Sequence, residues 1–164
     1  MSDVAAPDQL ADLNSHYIEG YTKEGMIPFR VPLFSQVAEN LWMGGCPRGD
    51  APQFDTIVDL YGQEPYRVHP KQIHVRCRML DTHDLPESAL LDAIVEMIVA
   101  GIERGPTLVH CQAGLNRSGL LTALTLIKYA EMAPADAIAH LRERRCDAVL
   151  CNKAFEAHIL ASAQ

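Results

Sequence analysis

The run His110-Cys-Gln-Ala-Gly-Leu-Asn-Arg-Ser-Gly119 places a thiol, a guanidinium and a hydroxyl within eight residues. If a strand delivers Cys111 at its carboxyl end and a helix starts at Arg117, Gln112, Ala113, Gly114, Leu115 and Asn116 form the loop between them. Its backbone N–H groups then curl into a nest aimed where the helix N-terminus points, a concavity suited to an anion of phosphate size. Gly114 permits positive φ or close backbone approach at mid-loop. The same field favours a thiolate, which makes Cys111 a nucleophile at neutral pH. Arg117 can fork two N–H bonds onto phosphoryl oxygens, which Lys cannot copy. A Cys six residues before an Arg arises by chance roughly 0.3 times in a chain of this composition, so that spacing alone is weak. Requiring the preceding His, Gly114 and Ser118 lowers the chance to about one in ten thousand. None of Cys46, Cys77, Cys146 and Cys151 has an Arg at the same offset.

Four strands are expected to position this segment. Leu41-Trp-Met ends at Gly44-Gly45, and Thr56 to Tyr61 is apolar and β-branched like a central strand. Ile73 to Met79 alternates, with His74, Arg76 and Arg78 on the opposite face from Ile73, Val75, Cys77 and Met79. Thr107 to His110 follows the break Gly105-Pro106 and leads into the nucleophile. Asp84-Leu-Pro-Glu87 reads as a capping box for a helix running to about Arg104, with Leu90, Leu91, Ile94, Val95, Ile98 and Ile102 on its stripe. A core helix starts near Arg117, a third begins at Pro134 and ends in the basic turn Arg142–Arg145, and Asn152 caps a last one. Strands early and helices late predict an α/β fold with one principal sheet. Residues 1–36 read as an acidic arm or peripheral segment, and residues 37–164 as a single catalytic domain.

On these residues the chain resembles the cysteine-dependent protein phosphatases, and within them a small atypical dual-specificity phosphatase. His110-Cys-x5-Arg117-Ser118 is similar to the family signature. The resemblance spans about residues 37–160, taking in Asn40 to Gly45, Asp55 to Tyr61, the Asp81 loop and the Arg144…Asn152…Phe155 tail. It implies a central, mostly parallel sheet of four to five strands flanked by helices. It also implies two-step phosphoryl transfer. Cys111 attacks phosphorus to form a phosphocysteine, while Arg117 and the loop amides hold the equatorial oxygens. An aspartic acid then protonates the leaving oxygen and, as carboxylate, activates water. The family places this acid roughly thirty residues before the Cys. Asp81 and the alternative Asp84 both qualify; Asp84 has a use as helix cap, which favours Asp81. Ser118 resembles the hydroxyl that helps the thiolate leave in the second step.

Other residues have plainer readings. His110 is expected to bond backbone and shape the loop rather than act as a base. Asn116 reads as tolerating a left-handed turn, and Asn152 as a cap first and a contact to the loop second. His74, Arg76 and Arg78 read as a solvated face. Arg142, Arg144 and Arg145 read as serving a helix end and a structural ion pair. Cys77, Cys146 and Cys151 read as core residues, with a resolving-cysteine role as the weaker option. Tyr61, Tyr66, Arg67 and His69 lie in a connection positioned to wall the pocket.

Composition narrows the substrate. The 164 residues are 48% hydrophobic, enough for one packed domain, and the net charge of −7 argues against coating nucleic acid or anionic lipid. Five sparse cysteines do not make a disulfide scaffold, and no zinc-ligand spacing is present, so neither metal nor cofactor is expected. No basic-start apolar leader or spanning run is seen, and a reducing, cytoplasmic setting is the expectation. Gln112, Ala113 and Leu115 stand where phosphoinositide phosphatases of the superfamily tend to carry lysines. The expected substrate is therefore a phosphorylated protein or peptide, phospho-Tyr with phospho-Ser/Thr tolerance. An RNA 5′-phosphatase, a small-molecule or phosphoinositide phosphatase, and a non-catalytic phosphate-binding module are the alternatives.

Overall fold

A computed structural model describes residues 16–162. Its central sheet has five strands in the order β3-β4-β7-β5-β6. β3 (Phe34–Ala38) runs antiparallel to β4 (Leu41–Gly44), turning at Asn40, whose φ is 56°. β4, β7 (Thr107–His110), β5 (Thr56–Asp59) and β6 (Ile73–Arg76) are mutually parallel. All four residues of β7 and of β5 are buried, as in the central strands of a parallel sheet. The register aligns Gly44, Asp59 and His110, so three strands end together where the loop after β7 begins.

Four helices follow: α1 (Ser88–Arg104), α2 (Arg117–Tyr129), α3 (Pro134–Arg144) and α4 (Lys153–Ala161). Each sends its buried side chains into one cluster with Leu41, Met43, Val58 and Val109 of the sheet. The opposite face carries a smaller cluster, Leu33, Phe34, Ala51, Phe54, Ile57 and Leu108, with no helical member. Period-2 alternation sorts these sets, since Val58 and Val109 face the helices while Ile57 and Leu108 face away.

Three expectations change. Asp84 does not cap α1. The N-cap is Glu87, with extended backbone and no side-chain cap bond, and the Asp84 N–H instead meets Thr82 Oγ1 at 3.3 Å. Pro86 keeps this stretch extended, so the helix starts four residues past Asp84. Leu90 points outward, 43% exposed. The third expected strand stops at Arg76 rather than Met79.

The segment expected to be peripheral holds regular structure. β1 (Tyr17–Tyr21) and β2 (Pro28–Pro32) form an antiparallel hairpin. Pro28 and Pro32 stand at the ends of β2, where proline costs no ladder bond, and so do not break it. The boundary drawn at residue 36 falls inside β3. Residues 1–15, with the acidic positions Asp3, Asp8 and Asp12, lie outside the described residues.

Candidate active site

The strand–loop–helix geometry around Cys111 follows from its neighbours. β7 ends at His110 and α2 begins at Arg117. Gly114 holds a φ of 70°, and a Cβ there would run into the Gly44 carbonyl and the Arg145 guanidinium. Only glycine allows the loop to seat on the end of β4 in this conformation. Cys46 N–H donates to the Gln112 carbonyl at 3.0 Å, and Cys111 N–H to the Gly44 carbonyl at 3.3 Å. Asn116 sits in the right-handed helical region (φ −99°, ψ −62°), so the left-handed turn falls on Gly114 and not on Asn116.

Cys111 is buried, and its Sγ lies 3.4 Å from the Ser118 hydroxyl on the first turn of α2. Arg117 is 7% exposed. Its Nη1 donates to the Met79 carbonyl at 3.2 Å, and its guanidinium lies 5.4 Å from the Tyr61 ring centre. Its Nε is buried with no partner among the described residues, an unusual arrangement for a charged donor unless an anion completes it. The helix N-terminus, the loop and this guanidinium give one positively polarised concavity that an anion would neutralise.

Asp81 comes to the same place from the connection after β6. Its Oδ2 accepts from Asn116 Nδ2 at 3.0 Å and its Oδ1 from Asn152 Nδ2 at 2.9 Å. Asn152 also donates through its own N–H to Asn116 Oδ1 at 2.9 Å, and its Oδ1 accepts from Ala154 and Phe155 N–H to cap α4. One asparagine thus caps a helix, holds the loop and orients Asp81. Asp84 has no contact with this set; it is exposed, and only its backbone is engaged, with Thr82.

His110 is wholly buried. Its Nδ1 faces the Cys111 carbonyl at 3.0 Å and its Nε2 the Tyr66 hydroxyl at 2.6 Å. Burial pulls its pKa below the ordinary value; the bond to the Cys111 carbonyl and the nearby Asp59 only partly offset this. Cys46 follows β4 beside the loop, where burial, then Glu64, Asp59 and Cys111, push its thiol up to about 11. It stays protonated at neutral pH and offers no competing nucleophile.

Sequence reasoning misplaced Arg145. Among the described residues it forms no ion pair: its Nε donates to the Gly114 carbonyl at 2.7 Å, Nη2 to Ala113 at 3.1 Å, and Nη1 to Pro32 and to Ser35 Oγ, both at 2.8 Å. By binding the loop's carbonyls from behind, it turns the N–H groups toward the front. Burial lowers its pKa to about 10, still a cation at neutral pH. The expected structural ion pair belongs to Arg142, which meets Glu156 at 2.9 Å and so joins α3 to α4. Asp59 was also missed. It is 1% exposed at the end of β5 and accepts from Tyr61 and Gly62 N–H at 2.9 and 2.8 Å. Arg145 carries no local signal, because its acceptors lie far away in sequence, whereas Asp59 closes a local turn onto Tyr61 and Gly62 of the kind aspartate favours.

Among the described residues no three His, Cys, Asp or Glu side chains gather as a metal site, and no helix is long and apolar enough to cross a membrane.

The catalytic-domain model for dual specificity phosphatases matches residues 43–164. The protein tyrosine phosphatase PRL-1 of Leishmania major is 34% identical over 91 residues, which is 46% of this chain and 52% of that protein. The chain therefore spans about half the length of this curated relative. A crystal structure of a point variant of human DUSP28 superposes with a TM-score of 0.71 at 20% identity, covering 81% of this chain and 97% of that one. PTPMT1 in complex with PI(5)P gives 0.61 at 16% identity, covering 80% and 99%. At such identities the two structures speak for the fold alone. The family match takes in the loop, both asparagines and the four helices described above, and the chain belongs to the dual-specificity phosphatases of the cysteine-dependent phosphatase superfamily.

Proposed function

We propose that the chain hydrolyses phosphate monoesters on proteins, phosphotyrosine first and phosphoserine or phosphothreonine as well, through a phosphocysteine intermediate. The observation that carries the chemistry is the buried Arg117 Nε, unpartnered among the described residues, at the start of the helix whose first turn also sets Ser118 beside Cys111. In the first step Cys111 Sγ attacks phosphorus as the bond to the ester oxygen breaks. Arg117 and the N–H groups of residues 112–117 bind the three equatorial oxygens, where charge resides in a loose transition state. Asp81 gives its proton to the leaving oxygen. In the second step the Asp81 carboxylate takes a proton from water, which attacks the phosphocysteine, and the Ser118 O–H stabilises the departing thiolate. Asn116 and Asn152 hold the Asp81 carboxyl for both roles, each oxygen keeping a lone pair for the transfer.

A protein substrate is favoured by the neutral side chains of Gln112, Ala113 and Leu115 and by the net charge of −7, which supply no lysines for further phosphates. The test is p-nitrophenyl phosphate hydrolysis by wild type and Cys111→Ser with EDTA present. Wild-type activity that disappears in the variant supports thiolate chemistry; activity that survives in Cys111→Ser overturns it. Wild-type protein that binds phosphopeptide without releasing phosphate would be a binding module. Phosphopeptides are then compared with phosphoinositides, sugar phosphates and 5′-phosphorylated RNA. Turnover confined to the non-protein compounds sinks the phosphoprotein reading.

A further inference from the structure

Behind the loop, on the sheet face away from the four described helices, two histidines and a tyrosine form a chain from the surface to the nucleophile's own backbone. The Tyr66 hydroxyl lies 3.1 Å from His74 Nε2 and 2.6 Å from His110 Nε2, and His110 Nδ1 lies 3.0 Å from the Cys111 carbonyl. The rings of His74 and His110 each meet Tyr66 edge-on, with centroids 5.6 and 5.2 Å away.

The donors and acceptors have one consistent arrangement. A carbonyl can only accept, so His110 Nδ1 carries a proton. Burial keeps the ring neutral, which leaves Nε2 an acceptor, so Tyr66 O–H must donate to it. The Tyr66 oxygen is then free to accept from His74 Nε2–H. Burial and Asp59 raise the phenol's pKa, so it remains a donor throughout the working range. The charged groups facing the chain are Asp59 from β5, Arg76 from β6 and Arg117 from α2. Asp59 Oδ1 stands 3.5 Å from His110 Nε2, and Oδ2 stands 3.8 Å from His74 Nε2 and 3.7 Å from Arg76 Nε. It is the acceptor that His110 would turn to if Tyr66 ceased to donate.

We propose that Tyr66 and His74 are positioning residues that hold His110 in its Nδ1–H tautomer, and so fix the Cys111 peptide plane that opens the phosphate-binding loop. The proposal rests on Cys111 as nucleophile but is read without turnover. His74 is the chain's solvent end, with a quarter of its side chain exposed, and so the mutable one.

Nitrogen-15 NMR of the histidine rings tests it. In wild type, His110 shows the neutral Nδ1–H pattern and does not titrate between pH 8 and 5.5. Tyr66→Phe keeps the ring packing and removes only the donor; there His110 titrates in that window or moves its proton to Nε2, toward Asp59. With it, kcat on p-nitrophenyl phosphate falls about tenfold, the worth of one positioning hydrogen bond, while KM changes less than twofold. His74→Leu lowers kcat about threefold, and His74→Gln, whose amide reaches the same oxygen, restores most of that. A His110 spectrum and titration in Tyr66→Phe matching wild type overturns the proposal, as does an unchanged kcat. Cys111→Ser keeps the two readings apart. Turnover surviving in it would sink the nucleophile assignment, while the His110 spectrum decides the chain on its own.

Discussion

At the scale of single residues, the site separates into what adjacency encodes and what the fold delivers. Cys111, Gly114, Arg117 and Ser118 are legible because the chemistry needs them within one strand–loop–helix turn. Arg145 is not, because it reads as one more base in the turn Arg142–Arg145 until four acceptors surround it. Arg145→Met leaves those acceptors buried and unanswered, and costs about 3 kcal/mol in urea denaturation, with Arg145→Lys between it and wild type. Residual folded Arg145→Met is also expected to lose most turnover, since the Ala113 and Gly114 carbonyls are then free to rotate inward. The choice between the two acids is a residue-scale matter too. The capping argument that favoured Asp81 fails, since Asp84 caps nothing, yet the geometry supports the same choice on better grounds, through Asn116 and Asn152. Asp81→Asn is expected to lower kcat on phosphotyrosine about a hundredfold or more, and Asp84→Asn less than twofold. The reverse ranking would move the acid to Asp84.

At the scale of elements, strands and helices with a strong apolar pattern were legible, and short strands interrupted by turn residues and exposed side chains were not. β5 announces itself by a mostly apolar, β-branched run, β7 by following the break Gly105-Pro106, and α2 by apolar residues almost all round. The β1–β2 hairpin and β3 carry Gly25, Pro28, Pro32 and exposed Tyr21 and Met26, which read as breaks. What makes them strands is pairing with each other and with β4, together with burial of Val31, Leu33 and Phe34. The start of α4 shows an element and a site sharing one side chain. Asn152→Ala removes the cap bonds to Ala154 and Phe155 along with the hold on Asp81, and is expected to cost about 1 kcal/mol of stability as well as turnover. Asn152→Asp keeps a capping oxygen but sets a carboxylate against Asp81. The expected outcome is stability near wild type with kcat as low as in the Ala variant, read from paired urea melts and initial rates. Recovery of kcat in Asn152→Asp would show that the contact to Asp81 is idle.

At the scale of the whole molecule, the two sheet faces differ in what they bury. The helical face gathers the larger apolar cluster, while the other face carries His110 and Asp59 at the ends of β7 and β5, with Tyr66 and His74 next to them, beside Ile57 and Leu108. That asymmetry sets the acid sensitivity. In the unfolded chain His110 binds a proton near pH 6.5, whereas in the fold burial lowers its pKa, so the fold resists protonation. Below 6.5 the unfolded state therefore binds more protons than the native state, and stability falls as pH drops. The slope for one such histidine reaches about 1.4 kcal/mol per pH unit until the native pKa is met. His74, also lowered chiefly by burial, acts in the same direction but more weakly because it is partly exposed. Glu156 has its pKa lowered, first by Lys153 and then by Arg142, so its stabilising contribution is present above its ordinary range and lost only at more acid pH. The weakening between pH 6.5 and 5.5 thus belongs to the histidines. Urea midpoints at pH 7.5, 6.5 and 5.5 should be level across the first interval and fall across the second. His110→Asn retains a donor for the Cys111 carbonyl but cannot be protonated, and its midpoint should fall much less over that second interval, whatever its starting stability. A wild-type midpoint that stays flat to pH 5.5 would mean that His110 is protonated inside the fold at no cost, with Asp59 as its partner in place of Tyr66.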